Sequence, residues 1–416
     1  MDSSCRYEIR LVAVLFFAWG TVFLDRMSQL YLAPYFAPEF HLGEKQIGTL
    51  ASVLAITWAM STFVFGALSD RFGRKPVLIP AVFSFSILSW MSAFVHGYYQ
   101  LLLVRALMGV AEGPTWSIMT ALIEESSHPS RRGRNVGIVV SAAALVGLSA
   151  APILTTQVAA RWGWRAAFFL AGVPGLVMAV LIWKLVKEPS AETREGAEHV
   201  KASAAEYVSI LRFRNVWLCC VGATGFMTWL FVLNAFAPLY ITQVVHEVPT
   251  TAGFFLGASG LGSFFLGFLL PSLSDRIGRR PVLLLMAALA VIVPLAYLVP
   301  VLYAHPWVLA GIVFIANTGQ GIAAPILVLV PTESVPARFR ASSIGAATLV
   351  GEVFGATLAP ILAGALAEKY GLGVTMWMAA GGSALVFLVA LVLRETAKSK
   401  SEISGAQEVA RAPGVA

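Results

Sequence analysis

Residues Gly66–Leu78 read GALSDRFGRKPVL, and residues Pro271–Leu284 read PSLSDRIGRRPVLL. Asp70 matches Asp275 and Gly73 matches Gly278 at an offset of 205, so the chain carries one loop twice. Further matches keep nearly the same spacing. Glu125, Arg132-Gly133-Arg134 and Ala151-Pro152-Ile153-Leu154 return as Glu333, Arg340 and Ala359-Pro360-Ile361-Leu362, at an offset of 208. LAPYF at Leu32–Phe36 has its counterpart in FAPLY at Phe236–Tyr240. The chain is one plan written twice, and the plan is set by what flanks these loops.

Apolar runs flank them on every side. Of 416 residues, 58% are hydrophobic and 12% charged, about half the ~25% charged share of a soluble domain. Twelve runs between residues 9 and 393 are long enough to cross the ~30 Å hydrocarbon layer as helices. They are continuous instead of alternating, which excludes barrel strands of about ten residues. The first run carries a charge pair at its middle and no clear cleavage site, so it is read as a span and not as a signal peptide. The longest polar interruption, Lys187 to Arg214, separates six runs from six. The expected fold is all-α integral membrane, with a six-helix bundle at 1–187, a cytoplasmic linker at 188–214, a second six-helix bundle at 215–393 and a cytoplasmic tail at 394–416.

With both termini inside, 23 of the 29 Lys and Arg fall in cytoplasmic segments. The net charge of +7 is therefore a topology signal and speaks for no nucleic-acid partner. Cys5, Cys219 and Cys220 offer neither a disulfide framework nor a metal site. The basic tail points to a bacterial inner membrane.

The duplicated loop resembles the signature of the major facilitator superfamily, and the resemblance covers essentially the whole chain. It reads Gly66-x-Leu68-x-Asp70-Arg71-x-Gly73-Arg74-Lys75. The fold it implies is two pseudo-symmetric six-helix bundles with a site between them near midplane. The residues agree with a conformational latch: Asp70, Arg71, Arg74, Asp275 and Arg276 can pair across the inner face when the site opens outward. A purely topogenic basic loop would ask nothing of the two aspartates.

Only Asp25, Glu112 and Glu352, of 22 acids, lie inside spans, and no histidine does. Any proton chemistry in the membrane falls to carboxylates. Charges there cost a few kcal/mol by insertion scales, so they face the bundle interior. Arg105 and Glu112 share a helix face, ~10 Å apart along the axis, and Asp25-Arg26 falls between them in depth. Gly109 and Gly113 keep that side of the fourth span slim. The four charges sum to zero. The planar Arg26 guanidinium suits a bidentate carboxylate, Arg105 is placed to hold Asp25, and a buried carboxyl without a strong partner is the one readily kept neutral. A static ion pair between Asp25 and Arg26 is the bland alternative.

This arrangement looks like the anion:cation symporter branch of the superfamily, whose members carry sugar acids, hexuronates and aromatic acids. The branch implies that Arg26 contacts the substrate carboxylate. It assigns Asp25 and Glu112 to proton coupling, with Arg105 as partner of an acid. Two departures stand out. Glu112 is followed by Gly113-Pro114-Thr115-Trp116 where Ala-Pro and a further Pro are usual, and the branch's Trp-Phe-Pro is absent.

The second half has no charge opposite Asp25 and Arg26. It offers Trp229 and Asn234 in the seventh span, and Asn317 and Gln320 in the tenth, to the body of the substrate. Glu352 is left open, as a third titratable acid or a neutral donor. The function expected is import of a small organic anion by proton symport, with an antiporter or exporter as the alternative. The proton gradient is the energy source, the protein is read as a monomer, and no cofactor is called for. No nucleophile or metal constellation marks an enzyme, and no GxxxxGK[ST] marks ATP use.

Overall fold

The computed structural model describes residues 3–128, 131–188, 210, 212–336 and 339–396, without the side chains of residues 3, 4, 63, 67, 70 and 341. Eleven of its helices are long and apolar enough to cross a membrane. In chain order the first-half helices are α1 (Ser3–Glu39), α2 (Glu44–Phe72), α3 (Arg74–Ser92), α4 (Tyr98–Ser126), α5 (Arg132–Trp162) and α6 (Trp164–Leu185). The second half follows with α7 (Arg214–Val244), α8 (Pro249–Ile277), α9 (Arg279–Tyr297), α10 (Pro306–Glu333), α11 (Ser342–Tyr370) and α12 (Gly373–Val392). At 29 residues α4 also has spanning length, but Arg105 and Glu112 lower its hydropathy. The linker expected at 188–214 lies mostly outside the described residues, as does most of the 394–416 tail.

The duplication seen in the sequence recurs in the backbone and its contacts. Gly73 and Gly278, in the duplicated loop, sit at φ 106° and 114°, where essentially only glycine is relaxed. Each allows the chain to turn between two helices without a break longer than one residue. Beside it the same polar cluster is built twice. Arg74 Nη1 donates to Ser69 Oγ at 2.9 Å and Arg279 Nη1 to Ser274 Oγ at 2.6 Å. Arg74 pairs with Glu125 and Arg279 with Glu333, each at 2.8 Å. Glu188 accepts from the amides of Arg74 and Lys75, and Glu395 from those of Arg279 and Arg280, so a carboxylate closes each helix N-terminus. A π-helical segment interrupts α5 at Ala143–Ala150 and α11 at Gly351–Leu358, again at matching positions. Such segments often mark functional sites.

The halves are drawn together at the face opposite the duplicated loops. There α2 packs on α11, and α8 on α5. A Cβ at Gly48 would overlap the Pro360 carbonyl, and one at Gly260 the Leu148 carbonyl. Ser52 Oγ donates to Thr357 O at 2.5 Å, and Lys45 N to Glu368 Oε1 at 3.2 Å. Nearer the middle, Tyr31 donates to Asn234 Oδ1 at 3.0 Å. This is a carrier-like pair of bundles sealed on one face. Large apolar side chains such as Phe17, Leu103, Phe265 and Leu388 stay exposed on the perimeter, where lipid would cover them.

Candidate transport site

Asp25 and Arg26 are adjacent in sequence but point to different neighbours, since successive helical residues diverge by about 100°. Asp25 turns into its own half. It is fully buried, and its Oδ1 accepts from Ser89 Oγ on α3 at 2.5 Å while Oδ2 has no partner. Arg26 turns toward the second half. Its guanidinium carbon lies 5.9 Å from the Phe23 ring, 5.2 Å from Trp58 and 5.0 Å from Phe231 of α7. Aromatic faces stabilise a cation without neutralising it. The Nε and Nη2 groups of Arg26 are buried without hydrogen-bond partners, an arrangement that leaves part of the fork for a carboxylate.

Arg105 makes no direct bond to Asp25, the partner the sequence suggested, although its charge acts on that carboxyl. Its Nη2 donates to Ser92 Oγ at 2.8 Å, its Nη1 to Met108 Sδ at 3.1 Å, and its guanidinium stacks 5.0 Å from the Phe168 ring. The reason lies in α3. Ser89 and Ser92 stand one turn apart on its buried face and take the acid and the base separately.

Glu112 is fully buried, and neither of its carboxyl oxygens has a partner. The charges of Asp25, Arg26 and Arg105 all act on it without touching it. An unpartnered buried carboxylate is far more costly than the neutral acid. Glu352, which the sequence left without a role, comes from the π segment of α11 in the second half. It is 5% exposed, its Oε2 is unpartnered, and the charge of Arg26 reaches it. The sequence-level charge set of four thus becomes five.

The second-half candidates divide. Asn234 bridges the halves through Tyr31 and donates to Leu230 O at 2.8 Å. Trp229 is enclosed in its own bundle, 1% exposed, with its indole N–H on Ala290 O at 3.0 Å and its ring against Gly319. It presents no face to the centre in this state; Phe231, two residues on, does. Asn317 sits where α10 is interrupted after Ala316 and holds the interruption together. Its Nδ2 donates to Ser259 Oγ at 2.6 Å and its Oδ1 accepts from Gly319 N at 3.1 Å. Gln320 is half-buried, and its backbone N–H donates to Ser263 Oγ at 3.3 Å.

Of the loop residues, Arg74, Asp275 and Arg279 are engaged within their own halves, Asp275 with Arg279 at 2.6 Å. Arg71 lies against the Phe72 ring at 5.4 Å. Arg276 is exposed, and the Asp70 side chain is outside the described residues.

Sequence reasoning missed Trp58, Ser89 and Ser92. The Ser86-x-x-Ser89-x-x-Ser92 spacing was a usable signal, since three hydroxyls on one helical face seldom point at lipid. The gap beside Arg26 measures about 10 Å³ and is lined by Met27, Gln29, Leu30, Ala51, Leu54 and Phe231. That is room for roughly one water, so any larger solute needs the halves to part.

Two duplicated bundles, sealed at one face around buried charges, define a membrane carrier. The Major Facilitator Superfamily profile matches residues 15–356, and the chain belongs to that family. It is a transporter and not an enzyme. It is similar to the hexuronate transporter of Bacillus subtilis, 28% identical over 66% of this chain and 67% of that protein. It is also similar to a probable 4-methylmuconolactone transporter of Cupriavidus pinatubonensis, 28% identical over 66% of this chain and 65% of that one. The chain thus spans about two thirds of the length of each of these relatives. Among solved structures, a bacterial homolog of the human lysosomal transporter Spinster, inward-facing and unoccupied, superposes with a TM-score of 0.72 at 18% identity. That match covers 92% of this chain and 97% of the other.

Proposed function

We propose that the protein imports a small organic anion together with protons by alternating access. The observation that carries this is Arg26: a buried guanidinium framed by three aromatic rings at the boundary of the halves, with donors unspent. One relative is named as a hexuronate transporter and the other as a probable 4-methylmuconolactone transporter, which favours a carboxylate as the solute. Arg26 takes the carboxylate. Asp25 and Glu112 carry the protons, and Arg105 balances the set. Asn234 and Phe231 meet the first half at the seam. Gln320 is assigned to the body of the solute, and Trp229 and Asn317 support the site from within their own bundle.

The face of the duplicated loops is cytoplasmic in this reading, and the protein works in a bacterial inner membrane as a monomer. Asp70, Arg71, Arg74, Asp275 and Arg276 latch that face when the opposite one opens. Purified protein in liposomes decides the matter. A panel of sugar acids, muconates and other monocarboxylates should include one that accumulates when only an inwardly directed proton gradient is applied. Uptake indifferent to the gradient for every member would overturn symport, and exchange without net uptake would point to an antiporter.

A further inference from the structure

Ser86, Ser89 and Ser92 recur along α3, and all three are fully buried. Ser89 is the unusual one. Its single hydroxyl stands 2.5 Å from Asp25 Oδ1 and 3.0 Å from the carbonyl oxygen of Phe168 on α6. One hydrogen cannot bond both acceptors at full strength. We propose that Ser89 is a positioning residue for Asp25, giving its hydrogen to the charged carboxylate and to the Phe168 carbonyl when Asp25 holds a proton. The proposal rests on Asp25 as a coupling acid.

The hydrogen-bond balance closes in both states. A charged carboxylate is the stronger acceptor, so Ser89 donates to it. A protonated Asp25 becomes a donor. The Ser89 oxygen then accepts from it, and the serine hydrogen moves to Phe168 O. Proton arrival on α1 is thereby converted into a bond between α3 and α6. The two helices are close enough for this because α6 is bare where they meet: a Cβ at Gly172 would lie 2.7 Å from Ser86 O.

The same helix keeps Asp25 usable. An Asp25–Arg105 ion pair would hold the acid in its charged form. Instead Ser92 takes Arg105, and the ring of Phe168 stacks on that guanidinium. The residue whose carbonyl receives Ser89 therefore also carries Arg105. The charged groups facing Asp25 are Arg105 and Glu112 on α4, while Arg26 on its own helix turns the other way. Helices α2, α3 and α5 to α8 bear their charged residues only at their ends.

Infrared difference spectroscopy of the purified carrier, titrated without substrate, tests this. The carboxylic-acid band absent from Asp25→Asn reports the proton on Asp25. Ser89→Ala removes the donor to the charged form, so the band should persist to a pH about one unit higher, tenfold in proton affinity. Ser89→Thr keeps the hydroxyl and should return the parent titration. A half-point in Ser89→Ala that stays put or moves to lower pH would overturn the role of Ser89 alone. If Asp25→Asn removes no titrating band, the coupling role of Asp25 falls, and that of Ser89 with it.

Discussion

Tyr31 on α1 gives its phenolic hydrogen to Asn234 Oδ1 on α7 at 3.0 Å, joining the halves deep inside the protein. Both groups are buried, and Asn234 keeps its amide hydrogen on Leu230 O. The bond has to break whenever the halves part. It therefore weights one conformation and leaves the fold of each bundle alone. Tyr31→Phe should weaken the sealed state by ~0.5–1.5 kcal/mol. Labelling at Ala51→Cys, a position buried beside Arg26 in the sealed state, should rise in the variant, and unchanged labelling would show that the bond carries no bias.

The seal itself depends on backbone approaching backbone. Gly260 faces the Leu148 carbonyl with no space for a Cβ, and Gly48 faces that of Pro360. Gly260→Val should hold that face open, abolish transport and leave the protein folded, because the clash exists only when the halves meet. Circular dichroism with the same labelling assay checks this. A variant that still transports would show that closure there is not required.

The duplicated turns call for glycine for a different reason. At φ 114°, Gly278 would strain any side chain, and a Cβ there would also lie 2.6 Å from Glu395 Oε2. Gly278→Ala should cost about 1–3 kcal/mol. Gly133→Ala, with nothing within 4 Å of a Cβ, should be close to neutral. Thermal unfolding in detergent distinguishes them.

Arg26 is assigned the anion. Arg26→Lys keeps the charge but loses the planar fork, so affinity should fall by ~1–3 kcal/mol. Calorimetric titration with the anion found in the uptake panel measures it, and undiminished binding by Arg26→Ala would remove Arg26 from the site.

Composition and the repeated loop were enough to read twelve spans and two related halves, because lipid forces long apolar helices and duplication leaves matching loops. The buried charges were legible for the same reason: so few acids lie in spans that each stands out. Their partners were not. Arg105 looked like the partner of Asp25 because depth along a helix can be counted, but rotation about its axis cannot. The hydroxyls of Ser89 and Ser92 decide that contact, and serines in an apolar run read as filler. Trp229 shows the converse. It aligns with Asp25 across the repeat, yet its indole is spent on Ala290 O of α9 and its ring lies on Gly319, beside the interruption of α10. Phe231 faces Arg26 instead.

Glu112 carries the central claim. Both of its oxygens are buried and unpartnered, with Arg105 engaged by Ser92 and Met108. In the proposed cycle a loaded carrier reorients with Glu112 neutral, and an empty one releases that proton before it returns. Glu112→Gln imitates the neutral state permanently. The most direct measurement compares two assays on this variant in liposomes, using the anion identified by the uptake panel. The account predicts that Glu112→Gln still exchanges labelled for unlabelled anion across the membrane at a rate near the parent's, and fails to accumulate it when a pH gradient is the sole driving force. Accumulation by Glu112→Gln against a concentration gradient, as strong as in the parent, would contradict it.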